Sequence, residues 1–552
     1  MTECASSLRR ANCALLVLLS SCLAQLSAES PSQSTDGNKY TISGTVINTV
    51  TGEPIRRALV RLQGVPHTSA LTDADGHFVI EVSPSVNGLL EAIKPGFFND
   101  SDLELTTQSH YVQADTSSAV LRMTPQGVIV GRVMESEQQP VEGIRVIAFF
   151  RSIHQGRGQW LEVNETKTDE DGGFRITGRP GTYLLAAGPG VYAYSSPAVA
   201  ERPKGYSQVF YPNEAKFSTA GEIVVAGGQQ VRADFLVSRQ ALFSLSGEIS
   251  GMSKGEKTGA VELENESGET LSFASNVEEN KFEIRGVPPG SYRMTAVISS
   301  QRGESGQADL PMNVTSDIAG INLVVTSAAT IPIETERIET HPDRDRNQTS
   351  FLEGSVAASP IREMGVAVQE LPVRVILHPK GLLRSDLQSG PYEAGTVITD
   401  VKPGRYSVEI DPPGDWYVQS AQQAGVDLLR DDLVVRAGGK ADPIHVVLRD
   451  DCSSLSGTVG RQTGKVVNGM ALAVPTSAPL SPVAQTLVRG DGEFQFSCLA
   501  PGEYSILAFD QGDGLEYNDP TVLERFIDNA VQATLHSSEE ARVSVEMTHR
   551  GD

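Results

Sequence analysis

The chain has 552 residues and is acidic, with 45 Lys and Arg against 69 Asp and Glu, for a formal charge of −24. A surface of that sign repels phosphate backbones and anionic lipid headgroups, so composition argues against nucleic acid as a partner. The alternative meaning of the acidity is simple solubility and repulsion between domains. At roughly 100 to 150 residues per domain, the length predicts about four or five domains. Frequent Gly (52) and Pro (30) favour many short strands over long helices.

Residues 1–28 have the features of an export signal that is removed from the mature protein. Arg9 and Arg10 supply its positive start, and the apolar run 14–19 is too short to span a bilayer. No later run is long and apolar enough for a transmembrane helix. The sequence therefore predicts an exported protein without a membrane-spanning segment, located in the periplasm, at the outer membrane or at the cell surface.

Two hypotheses describe how the signal ends. Leu19–Cys22 resembles the bacterial lipobox, in which small residues precede a cysteine that is lipidated, and this would make Cys22 the anchored first residue. The alternative is ordinary cleavage after Ala28, which would release a soluble form. Residues 29–38 are polar and Ser-rich, and we expect them to form a flexible tether.

The cysteines are unevenly distributed along the chain. Cys4, Cys13 and Cys22 lie in the first stretch, whereas Cys452 and Cys498 lie near the end. Because export places the later pair in an oxidising compartment, we predict a disulfide between Cys452 and Cys498. Two buried thiols are the alternative.

One short phrase recurs in the sequence, and its clearest copy is Thr-Asp-Glu-Asp-Gly-Gly-Phe-Arg-Ile at 168–176, followed by Pro-Gly-Thr-Tyr-Leu-Leu at 180–185. The dipeptide Asp171-Gly172 suits a tight reversal that needs a positive φ. Phe174 and Ile176 alternate as one face of a strand, and the Pro-Gly turns the chain again. The phrase therefore predicts a β-meander.

Variants of this phrase recur at a spacing of roughly a hundred residues, the size at which a two-sheet sandwich can bury its own core. We therefore predict an all-β fold of tandem antiparallel Greek-key β-sandwiches, arranged as beads on a string. The predicted bounds are 39–124 for sandwich 1, 125–240 for sandwich 2, 241–329 for sandwich 3, 330–450 for sandwich 4 and 451–552 for sandwich 5. Within sandwich 4, the polar segment 334–350 is predicted to be an exposed linker.

The S-G-x-V opening, the Pro-Val turn, the T-D-x-D-G-x-F hairpin and the P-G-x-Y strand together resemble the carboxypeptidase regulatory-like domain, a prealbumin-like or Cna-B-like β-sandwich. Phe210–Pro212, Trp416–Ser420 and Glu516–Pro520 look similar to segments of bacterial envelope proteins built from such domains. The resemblance implies a sandwich fold and an extracytoplasmic location. It does not imply carboxypeptidase activity, because the name comes from a non-catalytic accessory domain. Sandwiches 3 and 4 depart from the pattern, since they lack the D-x-D-G turn.

Three patterns associated with catalysis or metal binding are better explained without that chemistry. Gly251–Gly255 matches G-x-S-x-G but lies in a polar loop instead of a strand-to-helix turn. His536–Glu539 resembles the zinc pair of metallocarboxypeptidases, yet no catalytic-sized domain follows it. Asp73–Asp75 and Asp169–Asp171 offer too few carboxylates for calcium, and a hairpin turn explains them. We therefore predict a protein that is not an enzyme and has no cofactor or metal.

A set of aromatic residues in sandwich 2 is the predicted binding site. Gly and Pro flank nearly all of these rings, and planar amphipathic side chains on loops suit stacking against a sugar or a partner surface. The predicted site consists of Trp160, Tyr192, Tyr194, Tyr206 and Tyr211, with Phe210 between the last two. The alternative is that these rings cap the end of the sandwich or pack against sandwich 3.

These observations predict a non-catalytic, extracytoplasmic binding or scaffold protein of the cell envelope. Carbohydrate binding is the leading specific version, because related sandwiches share a carbohydrate-binding-like fold. The expected partners are polysaccharide or an envelope protein. A purely structural spacer is one alternative, favoured by an aromatic content of only 6%. An accessory subunit of an envelope peptidase or transport machine is another.

Overall fold

A computed structural model describes residues 40–548, except for 66–67, 84–85, 100–110, 115, 136–138, 155, 189–203, 252–256, 266–269, 272–274, 279, 300–304, 328, 341–372, 380–386, 389–396, 402, 437–440, 461–468, 477–481, 490 and 511–513. The predicted signal, its tether, Cys22 and Ser253 of the G-x-S-x-G match lie outside the described residues. The strands assemble into pairs of small sheets, so the all-β sandwich prediction is confirmed.

Sandwich 1 packs two sheets, with strand orders β4-β1-β8-β6 and β3-β2-β5-β7, around a core that includes Ile42, Val46 and Phe78. Its strands are β1 (Tyr40–Asn48), β2 (Leu59–Leu62), β3 (Ser69–Leu71), β4 (His77–Val82), β5 (Asn87–Ile93), β6 (Phe97–Asn99), β7 (Tyr111–Gln113) and β8 (Ala119–Pro125).

Sandwich 2 has one sheet of order β12-β9-β17 and a second of order β11-β10-β13-β15, with β18 added to β9 and β16 to β13. Its strands are β9 (Gly127–Glu135), β10 (Arg145–His154), β11 (Arg157–Lys167), β12 (Gly173–Gly178), β13 (Gly181–Gly188), β14 (Lys204–Tyr206), β15 (Val209–Phe210), β16 (Ile223–Val225), β17 (Gln230–Arg232) and β18 (Phe235–Val237). A 3₁₀ turn covers Phe217–Thr219.

Sandwich 3 has sheets of order β23-β24-β20-β27 and β22-β21-β25-β26-β28, and its first strand, β19, pairs back onto β14 of sandwich 2. Its strands are β19 (Arg239–Ala241), β20 (Phe243–Ser250), β21 (Lys257–Asn265), β22 (Thr270–Leu271), β23 (Ser275–Glu278), β24 (Lys281–Val287), β25 (Gly290–Ser299), β26 (Ser305–Val314), β27 (Ile318–Val324) and β28 (Thr326–Ser327).

Sandwich 4 has sheets of order β32-β29-β37-β34-β35 and β31-β30-β33-β36. Its strands are β29 (Ala329–Ile338), β30 (Arg374–Pro379), β31 (Leu387–Gln388), β32 (Val397–Val401), β33 (Gly404–Asp411), β34 (Tyr417–Gln423), β35 (Val426–Asp427), β36 (Leu433–Val435) and β37 (Ile444–Arg449).

Sandwich 5 has sheets of order β41-β38-β44 and β40-β39-β42-β43, with β45 added to β42. Its strands are β38 (Ser453–Val459), β39 (Gly469–Pro475), β40 (Ala484–Val488), β41 (Glu493–Leu499), β42 (Gly502–Phe509), β43 (Val531–Leu535), β44 (Glu540–Val545) and β45 (Met547–Thr548). Between β42 and β43 lie one helical turn, α1 (Pro520–Leu523), and a 3₁₀ segment, Glu524–Asn529. No helix in the described part of the chain has the length and apolarity needed to cross a membrane.

The opening strand of each sandwich pairs with a closing strand in parallel, which adds a parallel pair to otherwise antiparallel sheets. In sandwich 1 this pair is β1 with β8, and in sandwich 3 it is β20 with β27. The glycine of the S-G-x-V phrase lies where the closing strand passes. A methyl group at Gly44 would collide with the carbonyl oxygen of Ala119 on β8, and one at Gly247 with that of Ile321 on β27, so close backbone approach explains the glycine in sandwiches 1 and 3.

The T-D-x-D-G hairpin is held by two side chains that bond to the backbone. Thr168 Oγ1 accepts a hydrogen bond from Ile144 N (2.9 Å) and donates one to Val141 O (2.6 Å). Asp169 Oδ1 accepts from the backbone N–H groups of residues 171 and 173, and Gly172 has the positive φ (70°) that the turn was expected to need. Thr72 and Asp73 repeat these bonds in sandwich 1.

The tyrosine of the P-G-x-Y phrase closes the next turn in three sandwiches. Its hydroxyl donates to the backbone oxygen four residues earlier, from Tyr183 to Arg179 O (2.5 Å), from Tyr292 to Pro288 O (3.0 Å) and from Tyr504 to Ala500 O (2.8 Å). Each ring is buried in its core, so one residue fixes both the turn and the packing beneath it.

Two further predictions can be compared with the strands of sandwiches 4 and 5. Cys452 and Cys498 form a disulfide with Cα atoms 5.1 Å apart, which confirms the predicted pair. The linker predicted to begin at residue 334 is wrong for 334–338, because these residues continue β29 and pair in parallel with β37. Their outward charged side chains look like a linker locally, but the partner strand lies more than a hundred residues away. The rest of that segment, 341–350, lies outside the described residues.

Candidate functional site

The rings predicted to form an exposed platform in sandwich 2 are largely buried. Trp160 is only 6% exposed and packs edge-to-face on Phe217, with ring centroids 6.3 Å apart. Tyr206 is also 6% exposed, and its hydroxyl accepts a hydrogen bond from Arg239 Nε (2.9 Å). These two residues are therefore not available for stacking against a sugar. Trp160 belongs to a separate apolar layer that includes Phe149 and Phe217, and Tyr206 belongs to the main core of sandwich 2.

The other rings of the predicted site are half-buried, buried or outside the described residues. Tyr211 is half-buried and packs edge-to-face on Phe235 at 6.1 Å, and the Tyr211-Pro212 peptide bond is cis. Phe210 is buried beside Phe217. Tyr192 and Tyr194 lie outside the described residues, so their role in binding stays a prediction.

Sandwich 5 returns to contact sandwich 2 through the tip of the β10–β11 hairpin. Arg151 donates two hydrogen bonds to Glu516, from Nε to Oε1 (3.0 Å) and from Nη2 to Oε2 (2.6 Å). The side chains are only 30% and 19% exposed, and the Arg151 guanidinium also lies 5.2 Å from the centre of the Trp160 ring. A bidentate pair of this kind fixes orientation as well as distance. Trp160 thus supports a contact between domains.

The two residues after Glu516 extend this contact. The Tyr517 ring packs on Gly156, where any side chain larger than hydrogen would collide with it. Asn518 N donates to Gly156 O (2.9 Å), while Asn518 Oδ1 accepts from Val483 N (3.3 Å) within sandwich 5. Burial raises the pKa of Tyr517 to about 12, so its hydroxyl stays neutral at physiological pH.

The end of the same segment begins a helical turn that is anchored in sandwich 5. Asp519 caps α1 by accepting a hydrogen bond from Thr521 N (2.9 Å), and Pro520 occupies the first position. Leu523 and Phe526 are buried below it, Phe526 at 5.2 Å from the Phe509 ring. Glu516–Pro520, noted from sequence as an envelope-protein motif, therefore positions the contact with sandwich 2.

Sandwich 4 joins the same place through Glu409. His378 Nε2 lies 2.9 Å from Glu409 Oε2, and Arg157 Nε of sandwich 2 lies 3.4 Å from the same oxygen. His378 and, to a smaller extent, Arg157 hold the pKa of the Glu409 carboxyl below its ordinary value, so it is ionised at neutral pH. We call the meeting of sandwiches 2, 4 and 5, defined by Arg151, Arg157, Glu409, Glu516 and Tyr517, the three-domain junction.

A cavity of about 310 Å³ opens at the three-domain junction. Sandwich 5 supplies its apolar wall, which includes Val474, Pro475, Val483, Leu523 and Ile527. Arg157 of sandwich 2 and Ser407 of sandwich 4 lie on its polar side. A concave, mostly apolar space at a domain interface with a few polar groups is the usual form of a ligand pocket.

A second contact, around Asp451, connects sandwiches 4 and 5. The Asp451 carboxylate accepts from Arg449 Nε (2.8 Å) and Nη2 (2.7 Å), from the Tyr417 hydroxyl (3.1 Å) and from the Ser537 hydroxyl. Its side chain is only 6% exposed. The hydrogen bonds from Arg449 are the main reason that the pKa of Asp451 is well below its ordinary value. Tyr417 belongs to the Trp416–Ser420 segment, so a second envelope-protein motif serves a domain contact.

The Asp pairs and the His536–Glu539 segment, which the sequence analysis considered as metal sites, form hydrogen bonds within turns. Asp73 and Asp169 accept backbone N–H groups in their hairpins, as the hairpin interpretation requires. The His536–Glu539 segment forms a turn in which Glu539 Oε2 accepts from His536 N (2.7 Å). Within the described ranges, no three His, Cys, Asp or Glu side chains are grouped to hold a metal ion.

Sequence identified the segment Glu516–Pro520 but not its partners. Arg151 and Arg157 look like ordinary charges of an exposed hairpin, and Glu409 lies in an alternating strand. Nothing local distinguishes them, because their roles depend on residues in other sandwiches. The one available signal was the resemblance of Glu516–Pro520 to segments of envelope proteins.

No protein-family model and no curated protein sequence matches the chain. Solved structures similar to it include the TIE protein of Bacillus anthracis, with 10% identity, 76% of each chain covered and a TM-score of 0.16. The minor pilin GBS52 of Streptococcus agalactiae has 11% identity, covering 36% of this chain and 96% of that chain, with a TM-score of 0.19. The shaft pilin SpaA of Lactobacillus rhamnosus GG has 10% identity, covering 37% and 98%, with a TM-score of 0.20. Similarity this distant assigns neither a family nor an activity.

Proposed function

We propose that this chain is a non-catalytic, extracytoplasmic scaffold protein of the cell envelope, in which the three-domain junction holds sandwiches 2, 4 and 5 in one arrangement. The observation that carries the proposal is the bidentate Arg151–Glu516 pair, which joins residues 365 positions apart in the sequence. A chain that served only as a flexible string would have no use for so specific a contact between its second and last sandwiches.

A fixed arrangement favours binding to a partner that touches more than one sandwich. Domains that are already ordered lose less conformational freedom when the partner arrives, so more of the contact energy appears as affinity. The acidic surface, with a formal charge of −24, would favour a basic partner and oppose other acidic polymers.

The location of the protein is part of the same proposal. Residues 1–28 would direct export, and Cys22 would provide a lipid anchor if the lipobox hypothesis is correct. The disulfide of sandwich 5 is consistent with an oxidising compartment. Carbohydrate binding through the aromatic residues of sandwich 2 has less support than the scaffold role, since Trp160 and Tyr206 are buried.

The test is recovery of partners from native envelope by affinity capture and mass spectrometry, with four forms of the protein compared. We expect the wild type to recover a specific envelope protein, Glu516→Arg to lose most of it, and Arg151→Glu combined with Glu516→Arg to regain it. Glu165→Arg, which makes the same charge change at an exposed pair with Arg145, is the matched control. Equal recovery by all forms would contradict the role of the junction, and recovery of polysaccharide alone would favour carbohydrate binding.

A further inference from the structure

We propose that the cavity at the three-domain junction binds a small aliphatic carboxylate, with the carboxylate held by Arg157 and Ser407 and the aliphatic chain held by sandwich 5. This inference rests on the packed arrangement of sandwiches 2, 4 and 5 on which the proposed function also rests.

The polar side of the cavity has unused hydrogen-bonding capacity. Ser407 is only 6% exposed and lines the cavity, so its hydroxyl can reach a ligand held there. Arg157 Nε is buried and makes no hydrogen bond to a described residue, although it lies 3.4 Å from Glu409 Oε2. A ligand that supplies acceptor oxygens would therefore give the Arg157 guanidinium a further hydrogen-bond partner and accept a second hydrogen bond from the Ser407 hydroxyl.

These two groups are close enough to act on one ligand. Ser407 and Glu409 are two residues apart on β33 and therefore point to the same face of the sheet, and Arg157 contacts Glu409. Glu409 already has His378 as its nearer partner, at 2.9 Å against 3.4 Å for Arg157. A guanidinium has five N–H donors, so Arg157 retains donors for a carboxylate.

The opposite side of the cavity suits an aliphatic chain. Val474, Pro475, Val483, Leu523 and Ile527 present carbon surface there, and Ile527 leaves 39% of its surface exposed at the rim. A volume of about 310 Å³ is at the lower end of ligand pockets, which favours a small molecule over a folded partner. Glu524 also lines the cavity, and its negative charge opposes every anionic ligand, a dicarboxylate more strongly than the monocarboxylate that Arg157 would hold.

The experiment titrates the full mature chain with octanoate, below its micelle concentration, by calorimetry, with octan-1-ol and octylamine as probes that lack the carboxylate. We expect octanoate to bind with one site and the other two to bind at least tenfold more weakly. Arg157→Gln and Ser407→Ala should each weaken octanoate binding about tenfold or more, in line with a lost hydrogen bond to a charged group. Arg145→Gln on the neighbouring strand, which does not line the cavity, should leave binding unchanged.

Small-angle X-ray scattering on every form separates the two proposals. If the wild-type junction is closed and octanoate does not bind, or binds no better than octan-1-ol, the ligand inference is wrong while the scaffold proposal stands. An open wild-type junction would contradict both. If Arg157→Gln opens the junction, its loss of octanoate affinity cannot be assigned to the cavity, and Ser407→Ala is then the deciding variant. An unchanged octanoate affinity in Ser407→Ala, with a scattering curve that shows a closed junction, would overturn the inference.

Discussion

At the scale of single residues, most repeated positions have a local structural duty. In sandwiches 1 and 2 the threonine before the acidic turn bonds the backbone of the preceding loop, and the tyrosine of P-G-x-Y bonds the backbone four residues earlier. These side chains satisfy polar groups that would otherwise be buried without partners. They are repeated because the same backbone N–H and C=O groups need a hydrogen-bond partner wherever this turn occurs.

Thr168 offers a direct test of this duty, since it is only 4% exposed. Thr168→Val keeps the size of the side chain but leaves Ile144 N and Val141 O without its hydroxyl. We expect the free energy of unfolding of sandwich 2 to fall by about 1–3 kcal/mol, measured by denaturant titration. Thr168→Ser restores the hydroxyl and should cost much less. Equal losses in both variants would show that packing of the methyl group, and not the hydrogen bonds, matters at this position.

At the scale of elements, hairpins and meanders could be predicted because their determinants lie within about ten residues of one another. Phe174 and Ile176 face inward and Gly172 has a positive φ, as the pattern indicated. The continuation of β29 over residues 334–338 could not be predicted, because it depends on β37. The exposure of Trp160 was also wrong, since flanking glycine does not reveal the second apolar layer formed with Phe217.

The short connection between β37 and β38 carries a carboxylate that should make stability depend on pH. The pKa of Asp451 is lower in the folded protein than in the unfolded chain, so its contribution is fully present above the unfolded value of about 4 and is lost as pH falls below it. We expect the melting temperature to drop over that acidic range. Asp451→Asn should lower stability at neutral pH and flatten the acid dependence, as followed by calorimetry. An unchanged pH profile in Asp451→Asn would assign the acid response to other carboxylates.

At the scale of the whole molecule, the junction converts a tandem repeat into an arrangement with contacts between distant sandwiches. The sandwiches themselves were predictable, because each repeats its own signals. Arg151, Arg157 and Glu409 were not, because each looks like a surface charge until the other sandwiches are placed beside it. A sequence pattern that repeats about every hundred residues does not show which residues of different sandwiches contact each other.

Charge reversal at the junction should change the size of the molecule without unfolding it. We expect Glu516→Arg to raise the radius of gyration in small-angle X-ray scattering while far-ultraviolet circular dichroism stays the same. Arg151→Glu added to Glu516→Arg should restore the smaller radius, because the pair is re-formed with reversed signs. A radius that does not respond to Glu516→Arg would mean that Tyr517 and Asn518 suffice to keep sandwich 5 in place.

The contact between Arg151 and Glu516 also has a consequence for how the protein is completed. A polypeptide is synthesised from its N-terminal end, and sandwiches 1 to 4 each contain the strands they need to fold before residues 516–518 are added. Arg151 and Gly156 acquire these partners only when residues 516–518 are present, so the contact forms later than the local pairing of β10 with β11. A chain shortened before Glu516 would keep several folded sandwiches and lose their arrangement. A partner that recognises only the closed form would therefore ignore molecules in which sandwich 5 is missing or not yet folded.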